Sequence, residues 1–314
     1  MLNIAVIGLG NIGKSHIKAI PNSKNCRICA VCDSNEELAK QYAENLGVPY
    51  FLDYKDIPGA VELDAALITL PHFLHCESAI FFLEKGIHVF MEKPMANTVE
   101  ECDKMIAAAK ANKVKLAIAH PQRYCYANKI VKEFVESKKL GDLCMFTEFR
   151  TTNYFTPDRP KWFLNKKQAG GGIVMNYGAH AIDKLFYVLG ETKDVEVFAS
   201  TANIKNDADI EGHAQFMMKF PSGVTGTVTF SGYFGSGYDA IYYFTDGALK
   251  VSNTSFLYQM KGGKWEEIDT TQPMDRMLYQ IEEFCKYVND EPSIVPDGEF
   301  GRDVIAVIEK VYNN

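Results

Sequence analysis

The sequence predicts an α/β protein: a doubly wound parallel sheet, followed by an α+β domain built on a large, mostly antiparallel open sheet. Three observations carry that reading. Apolar strand-length runs alternate with helical patterns over the first 120 residues, a glycine-rich turn joins the first strand to the first helix, and beyond about residue 140 short strands follow one another through hairpin turns. Strands separated by whole helices pair in parallel through right-handed crossovers, whereas hairpins make antiparallel ladders. A chain of 314 residues is long for one core, so we expect two domains, residues 1–120 and 121–314.

In order, the first strand is read at residues 3–8 and the first helix at 12–20, ended by Pro21. A second strand at 27–33 precedes Ser34-Asn35-Glu36-Glu37, whose capping-box spacing opens a helix to about residue 46. A strand at 65–70, a helix at 76–85 and a strand at 88–91 follow. Thr98-Val99-Glu100-Glu101 repeats the capping box before a helix to about residue 111, and a strand at 114–119 closes the series. In the second domain a strong helix at 173–189 precedes strands at 195–202, 214–220, 224–231, 240–244 and 248–251. Pro221-Ser222-Gly223 and Asp246-Gly247 are read as hairpin turns. A helical stretch from about 275 to 314, broken near 292–296, could cross back to pack on the first domain.

Composition narrows the function classes. The chain is 47% hydrophobic and 23% charged, ordinary values for a globular protein. A net charge of −7 argues against nucleic-acid binding, which needs a basic face. No apolar run is long enough to span a bilayer, and residues 2–9 are a strand-length run without a basic leader or cleavage site. A cytoplasmic enzyme is expected. Cys26, Cys29 and Cys32 fall in a strand-like segment, where residues three apart face opposite sides and cannot converge on one ion. The eight cysteines are therefore read as reduced core residues, and no metal is expected.

Gly8-Leu9-Gly10-Asn11-Ile12-Gly13 fits G-x-G-x-x-G between a strand and a helix, the fingerprint of a Rossmann dinucleotide-binding unit. The first glycine permits the turn, the second lets backbone approach a pyrophosphate, and the third lets helix pack on strand. The helix N-terminus then offers unpaired N–H groups and a partial positive charge. Asp33 follows 20 residues after the last glycine at a strand end, where a carboxylate accepts both ribose hydroxyls of NAD and repels a 2′-phosphate. NAD is expected over NADP.

Three further segments complete a pattern: Thr69-Leu70-Pro71-His72-Phe73-Leu74-His75, then Gly86-Ile87-His88-Val89-Phe90-Met91-Glu92-Lys93-Pro94, then Gly170-Gly171-Gly172-Ile173-Val174-Met175-Asn176-Tyr177-Gly178-Ala179-His180-Ala181-Ile182-Asp183. Together with the glycine turn and Ala30-Val31-Cys32-Asp33, they resemble the glucose–fructose oxidoreductase / inositol dehydrogenase / rhizopine-catabolism (Gfo/Idh/MocA) family, in its order and spacing, from residue 2 to about 190. The resemblance implies a cofactor site formed by Gly8, Gly10, Asn11, Ile12, Gly13, Asp33, Thr69, Pro71, His75, Glu92 and Lys93. It also implies that Lys93 meets the substrate hydroxyl beside the nicotinamide and that His180 belongs to the catalytic helix. Asn176 stands where inositol dehydrogenases carry aspartate, so no carboxylate can orient or charge the site from that position.

Geometry points to the same residues. Ligands of open α/β sheets bind outside the carboxyl ends of the strands, where the glycine turn, Pro71 and Lys93 stand. On the 173–189 helix, steps of four and three place Asn176, His180 and Asp183 on one stripe. The expected reaction is hydride transfer between a secondary alcohol of a sugar or polyol and nicotinamide. His180 accepts the hydroxyl proton, Lys93 stabilises the developing alkoxide, and Asn176 orients substrate or His180. Arg123, Tyr154, Arg159, Lys161, Trp162 and Asp183 are candidate substrate-side residues.

Other histidines have blander readings. His88, at a strand start, is read as structural and His16 as a surface or packing residue, while His72, His75 and His120 near strand ends are open between lining the site and packing. Two rivals share the scaffold: an NAD-dependent glycoside hydrolase working by transient oxidation and elimination, and a non-catalytic dinucleotide-binding sensor. A one-sided sheet leaves a face to be covered, so a homodimer or homotetramer through the C-terminal sheet is expected.

Overall fold

Leu2–Ile7 is too continuously apolar for a strand with one wet face, and it lies near the middle of a sheet buried on both sides. The computed structural model describes residues 1–204, 208–271 and 273–314, and divides into two units: Met1–Pro121 with Met274–Arg302, and Gln122–Pro273 with Asp303–Asn314. In chain order the first unit holds β1 (Leu2–Ile7), α1 (Asn11–Ala19), β2 (Cys26–Cys32), α2 (Glu36–Leu46), β3 (Tyr50–Phe51), β4 (Ala65–Ile68), α3 (His75–Glu84), β5 (His88–Glu92), α4 (Val99–Asn112) and β6 (Leu116–Ala119). Sheet order is β3-β2-β1-β4-β5-β6, every pair parallel. The order reverses between β1 and β4, and the carboxyl ends of those strands open the crevice where such sheets take ligands.

Details differ from the expected boundaries. The cap of α2 is Asn35, whose side-chain oxygen accepts the Leu38 N–H at 3.0 Å. Asp33 takes the Asn35 N–H at 2.8 Å, so Asn35, and not Ser34, enters the cap position. In the second box Thr98 caps as expected, accepting the Glu101 N–H at 3.2 Å, but the Glu101 carboxylate reaches one residue past the cap and accepts the Asn97 N–H at 3.0 Å.

The second unit holds α5 (Tyr126–Ser137), β7 (Leu143–Asn153), α6 (Lys166–Ala169), α7 (Ala179–Leu189), β8 (Glu196–Ala202), β9 (His213–Lys219), β10 (Thr225–Ser231), β11 (Tyr233–Phe244), β12 (Gly247–Ser252), β13 (Phe256–Lys261) and β14 (Lys264–Ile268). Its sheet runs β14-β13-β12-β11-β7-β10-β9-β8, antiparallel except for the β7–β10 pair. One face carries Phe146, Phe216, Met218, Val228, Phe230 and Tyr242, all buried; the other exposes Met145, Phe149, Phe198 and Met217. Phe244 pairs with Gly247, so the turn is Thr245-Asp246, one residue earlier than expected. The expected uniform helix at 173–189 instead begins as a wide π turn, Val174–Gly178, before α7.

The chain then adds α8 (Arg276–Val288) and α9 (Gly298–Tyr312). Phe284 of α8 stacks on Phe90 with centroids 4.7 Å apart, and Ile281, Phe284 and Cys285 join the core around Ile4, Val6 and Phe90. Nearby, the Ile118 N–H donates to the Pro296 carbonyl at 2.8 Å, extending the hydrogen bonding of β6. Along β2, burial pushes the Cys29 thiol up to about 11 and that of Cys32 to about 12, so both stay protonated. No group of ligating side chains that could hold a metal occurs among the described residues.

Candidate active site

At the end of β1 the chain reverses at Gly8, φ +95°, a conformation that leaves no room for a side chain: a Cβ there would lie 2.8 Å from the Thr69 carbonyl oxygen. A Cβ on Gly13 would come within 2.2 Å of the Gly8 carbonyl oxygen, so α1 sits as close to the turn as backbone allows. Gly10 differs. A Cβ on it would meet nothing within 4 Å, and Gly10, Asn11 and Ile12 are exposed. The N-terminus of α1 has no side-chain cap, so its N–H donors face outward. Asp33 completes the turn from β2, its Oδ2 accepting the Leu9 N–H at 2.8 Å. These residues fit a dinucleotide: an open cradle at Gly10, uncapped donors for a pyrophosphate, and a fixed, half-buried carboxylate for a ribose.

Thr69 braces this turn from below. Its hydroxyl donates within reach of the Gly8 and Ile7 carbonyls, 2.6 and 3.1 Å away, which accounts for its burial. Pro71 and Lys93 stand half-buried beyond the ends of β4 and β5. The Lys93–Pro94 peptide is cis.

Two residues expected at the cofactor are engaged within the protein. His75 is fully buried, its ring nitrogens lying 2.9 Å from the Pro94 carbonyl and 2.8 Å from that of Leu70. It ties the loop after β4 to the loop after β5, and burial holds its pKa below the ordinary value. Glu92 is buried as well: Oε1 lies 2.8 Å from Nε2 of His16, and Oε2 accepts the Lys93 N–H at 3.2 Å. His16, read as a surface or packing residue, is thus a buried partner linking α1 to the residue before Lys93. His88 is structural, its Nδ1 accepting the Lys115 N–H at 2.9 Å. His72 and His120 are buried.

In the second unit, Asn176, Tyr177 and His180 lie half-buried at the start of the π turn and α7. The expected stripe does not extend to Asp183, which is fully buried and ion-paired with Arg123, itself 4% exposed. Tyr154 is fully buried, with its hydroxyl bonded to the Gly172 carbonyl at 3.3 Å and to Asn176. Arg123, Tyr154 and Asp183 thus all have intramolecular partners close to the helix start. Trp162 is half-buried and stacks on Phe163 at 3.7 Å, Arg159 is half-buried, and Lys161 is exposed.

Residues without a sequence signal frame this helix start. Glu211 accepts the Gly172 and Val174 N–H groups, both at 2.8 Å, and lies 2.9 Å from the Tyr312 hydroxyl. That hydroxyl donates to the Glu211 carboxylate and accepts the Met175 N–H at 3.1 Å. Burial raises the Glu211 pKa although those donors oppose it. Beneath α7, fully buried Lys184 pairs with Glu148 and the Tyr238 hydroxyl. Burial lowers the lysine's pKa and Glu148 opposes the shift.

Comparison with known proteins agrees with both units. A family model described as the Gfo/Idh/MocA oxidoreductase family, NAD-binding Rossmann fold, matches residues 2–120, and the family's C-terminal domain model matches 129–254. Levoglucosan dehydrogenase of Pseudarthrobacter phenanthrenivorans is 26% identical over 72% of this chain and 66% of its own. The NADP-dependent scyllo-inositol 2-dehydrogenase of Bacillus subtilis is 24% identical over 97% of this chain and 93% of its own. Several curated relatives are matched over only 58% to 66% of their length. The crystal structure of an aldose–aldose oxidoreductase from Caulobacter crescentus, complexed with glycerol, shares the fold. Its TM-score is 0.91 at 24% identity, over 99% of this chain and 96% of that one.

Proposed function

This chain belongs to the Gfo/Idh/MocA oxidoreductase family, and we propose that it moves a hydride reversibly between a secondary alcohol carbon of a sugar or polyol and NAD. The observation that carries the reading is the glycine turn, with Gly10 open, α1 uncapped and Asp33 fixed beside it. Bound NAD supplies the hydride acceptor, C4 of its nicotinamide. The chain's own residues then handle the proton: His180 takes it from the hydroxyl and passes it to solvent, leaving a ketone. Lys93 hydrogen-bonds the same oxygen and stabilises its growing negative charge, and Asn176 orients the alcohol or His180. Asp33 favours NAD over NADP because a carboxylate repels a 2′-phosphate.

A panel of sugars, inositols and sugar acids, followed by NADH absorbance, tests the reaction; absence of NADH with every member would refute it. Lys93→Ala and His180→Ala are each expected to keep NAD binding and lose turnover by roughly 10²-fold or more. Asn176, in place of a carboxylate, also suits a glycosidase acting by transient oxidation. Release of sugar from a glycoside without net NADH identifies that outcome, and NAD binding with neither activity identifies a sensor.

The exposed apolar face bearing Met145, Phe149, Phe198 and Met217 supports a homodimer or homotetramer through the second unit's sheet. Among the described residues no helix is long and apolar enough to cross a membrane.

A further inference from the structure

Two arginines near the start of α7 form no ion pair among the described residues. Arg150, on the inner face of β7, has its guanidinium carbon 4.9 Å from the ring centre of Tyr177 and 4.7 Å from that of Tyr238. Its Nη2 is buried without a hydrogen-bond partner. Arg159, in the segment after β7, lies 4.0 Å from the ring centre of Tyr154 and 5.0 Å from that of Phe163, and its Nε is likewise buried without a partner. The two seats adjoin, because the Tyr154 and Tyr177 rings are 6.3 Å apart and the Tyr154 hydroxyl bonds with Asn176.

The carboxylates around them are committed elsewhere. Glu148 is held by Lys184, Asp183 by Arg123, and Glu211 by two backbone N–H groups with the Tyr312 hydroxyl beside it. Asp158, fully exposed, is bonded to Thr156 and feels Arg159 only as a weaker, solvent-screened neighbour. Neither arginine forms an ion pair among the described residues. A guanidinium N–H removed from water without an acceptor costs free energy, and the guanidinium fork matches the paired oxygens of a carboxylate or phosphate. Aromatic rings lie against both cations, and one N–H of each is left for another acceptor. In a chain of net charge −7, these two cations sit beside Tyr177 and, through the Tyr154 hydroxyl, close to Asn176.

We propose that the substrate is a sugar bearing an anionic group, a carboxylate or a phosphate, and that Arg150 and Arg159 bind that group. The proposal deepens the dehydrogenase reading and rests on it for the site's location. Arg150 and Arg159 select the substrate; the proton chemistry stays with Lys93 and His180.

The test compares matched substrates on the intact protein with NAD: glucose against glucuronate and gluconate for the carboxylate, and against glucose 6-phosphate for the phosphate. One anionic member is expected to exceed glucose in kcat/KM by at least about tenfold. In Arg150→Gln and Arg159→Gln that preference should fall at least about tenfold, through KM more than kcat. Arg→Lys at either position, which keeps charge but loses the fork, should fall between. A melting-temperature control separates a lost site from a lost fold. Turnover of glucose equal to or better than all three anions overturns the proposal while leaving the dehydrogenase reading standing. So does an equal loss on neutral and anionic substrates in the arginine variants. If no sugar yields NADH, the dehydrogenase reading falls, and calorimetric binding of the same four compounds decides the anion site. Binding of an anion that both Gln variants abolish supports it, and binding indifferent to charge or to the variants overturns it.

Discussion

In the first unit the groups offered to a dinucleotide are main-chain donors at the start of α1 and one carboxylate at Asp33, set by Gly8, Gly10 and Gly13. In the second unit the corresponding groups are side chains, Asn176, Tyr177 and His180, standing on a helix start that Glu211 and a buried lysine pair hold in place. A backbone site demands particular residue types, because only glycine fits the turn. A side-chain site tolerates exchange at its surface as long as its buried supports remain. That division accords with relatives that share a fold at about a quarter identity while their names specify different sugars and polyols.

The comparison can be broken first at the supports. Lys184→Met leaves Glu148 buried without its partner and should destabilise the protein by about 3–5 kcal/mol, read from urea unfolding. Replacing both, with Glu148→Leu, should recover much of the loss, and a double variant as unstable as the single would refute this account of the pair. The glycines sharpen the contrast. Gly13→Ala forces a Cβ against the Gly8 carbonyl and should cost about 1–3 kcal/mol or more of stability. Gly10→Ala meets no protein atom, so its melting temperature should stay close to wild type while NADH affinity, followed by fluorescence, drops. Equal melting losses in both variants would contradict the open cradle at Gly10.

The smallest effect is on pH. Burial lowers the His75 pKa in the folded state, and that of His88 moves the same way. Below the unfolded value of about 6.5 the unfolded chain takes up protons that the folded chain refuses. Their contribution is therefore fully present above that pH and declines as pH falls through it. The urea midpoint should decrease between pH 7.5 and 5.5, and His75→Gln should flatten the decrease; an unchanged slope would show that His75 titrates freely.

The parts of this molecule legible in its sequence are those where local geometry restricts residue choice. The glycine turn, Asp33 after β2, and the alternation of apolar runs with capped helices belong to that class. His75 does not, because its partners are the carbonyls of Leu70 and Pro94, groups that every residue possesses. Glu92 and His16 are 76 residues apart, and no spacing rule joins them. β7 escaped the strand pattern because its inner face carries Glu148 and Arg150, which break the apolar alternation where the fold uses them. α5 has the apolar spacing of a helix, with Ala127, Ile130, Val131 and Phe134 buried, but Cys125 offers no side-chain cap to announce it. The π turn at Val174–Gly178 shifts Asn176 against the rest of the helix, and nothing in the residue types marks it; Asp183 is instead taken from the exposed stripe by its buried pairing with Arg123.

The Tyr312 hydroxyl has a consequence for how the protein is made. It meets Met175 and Glu211, residues synthesised 137 and 101 positions earlier, while the Pro296 carbonyl meets Ile118 far upstream. In both units these bonds join segments far apart in sequence, so they form only after the later segment has been made.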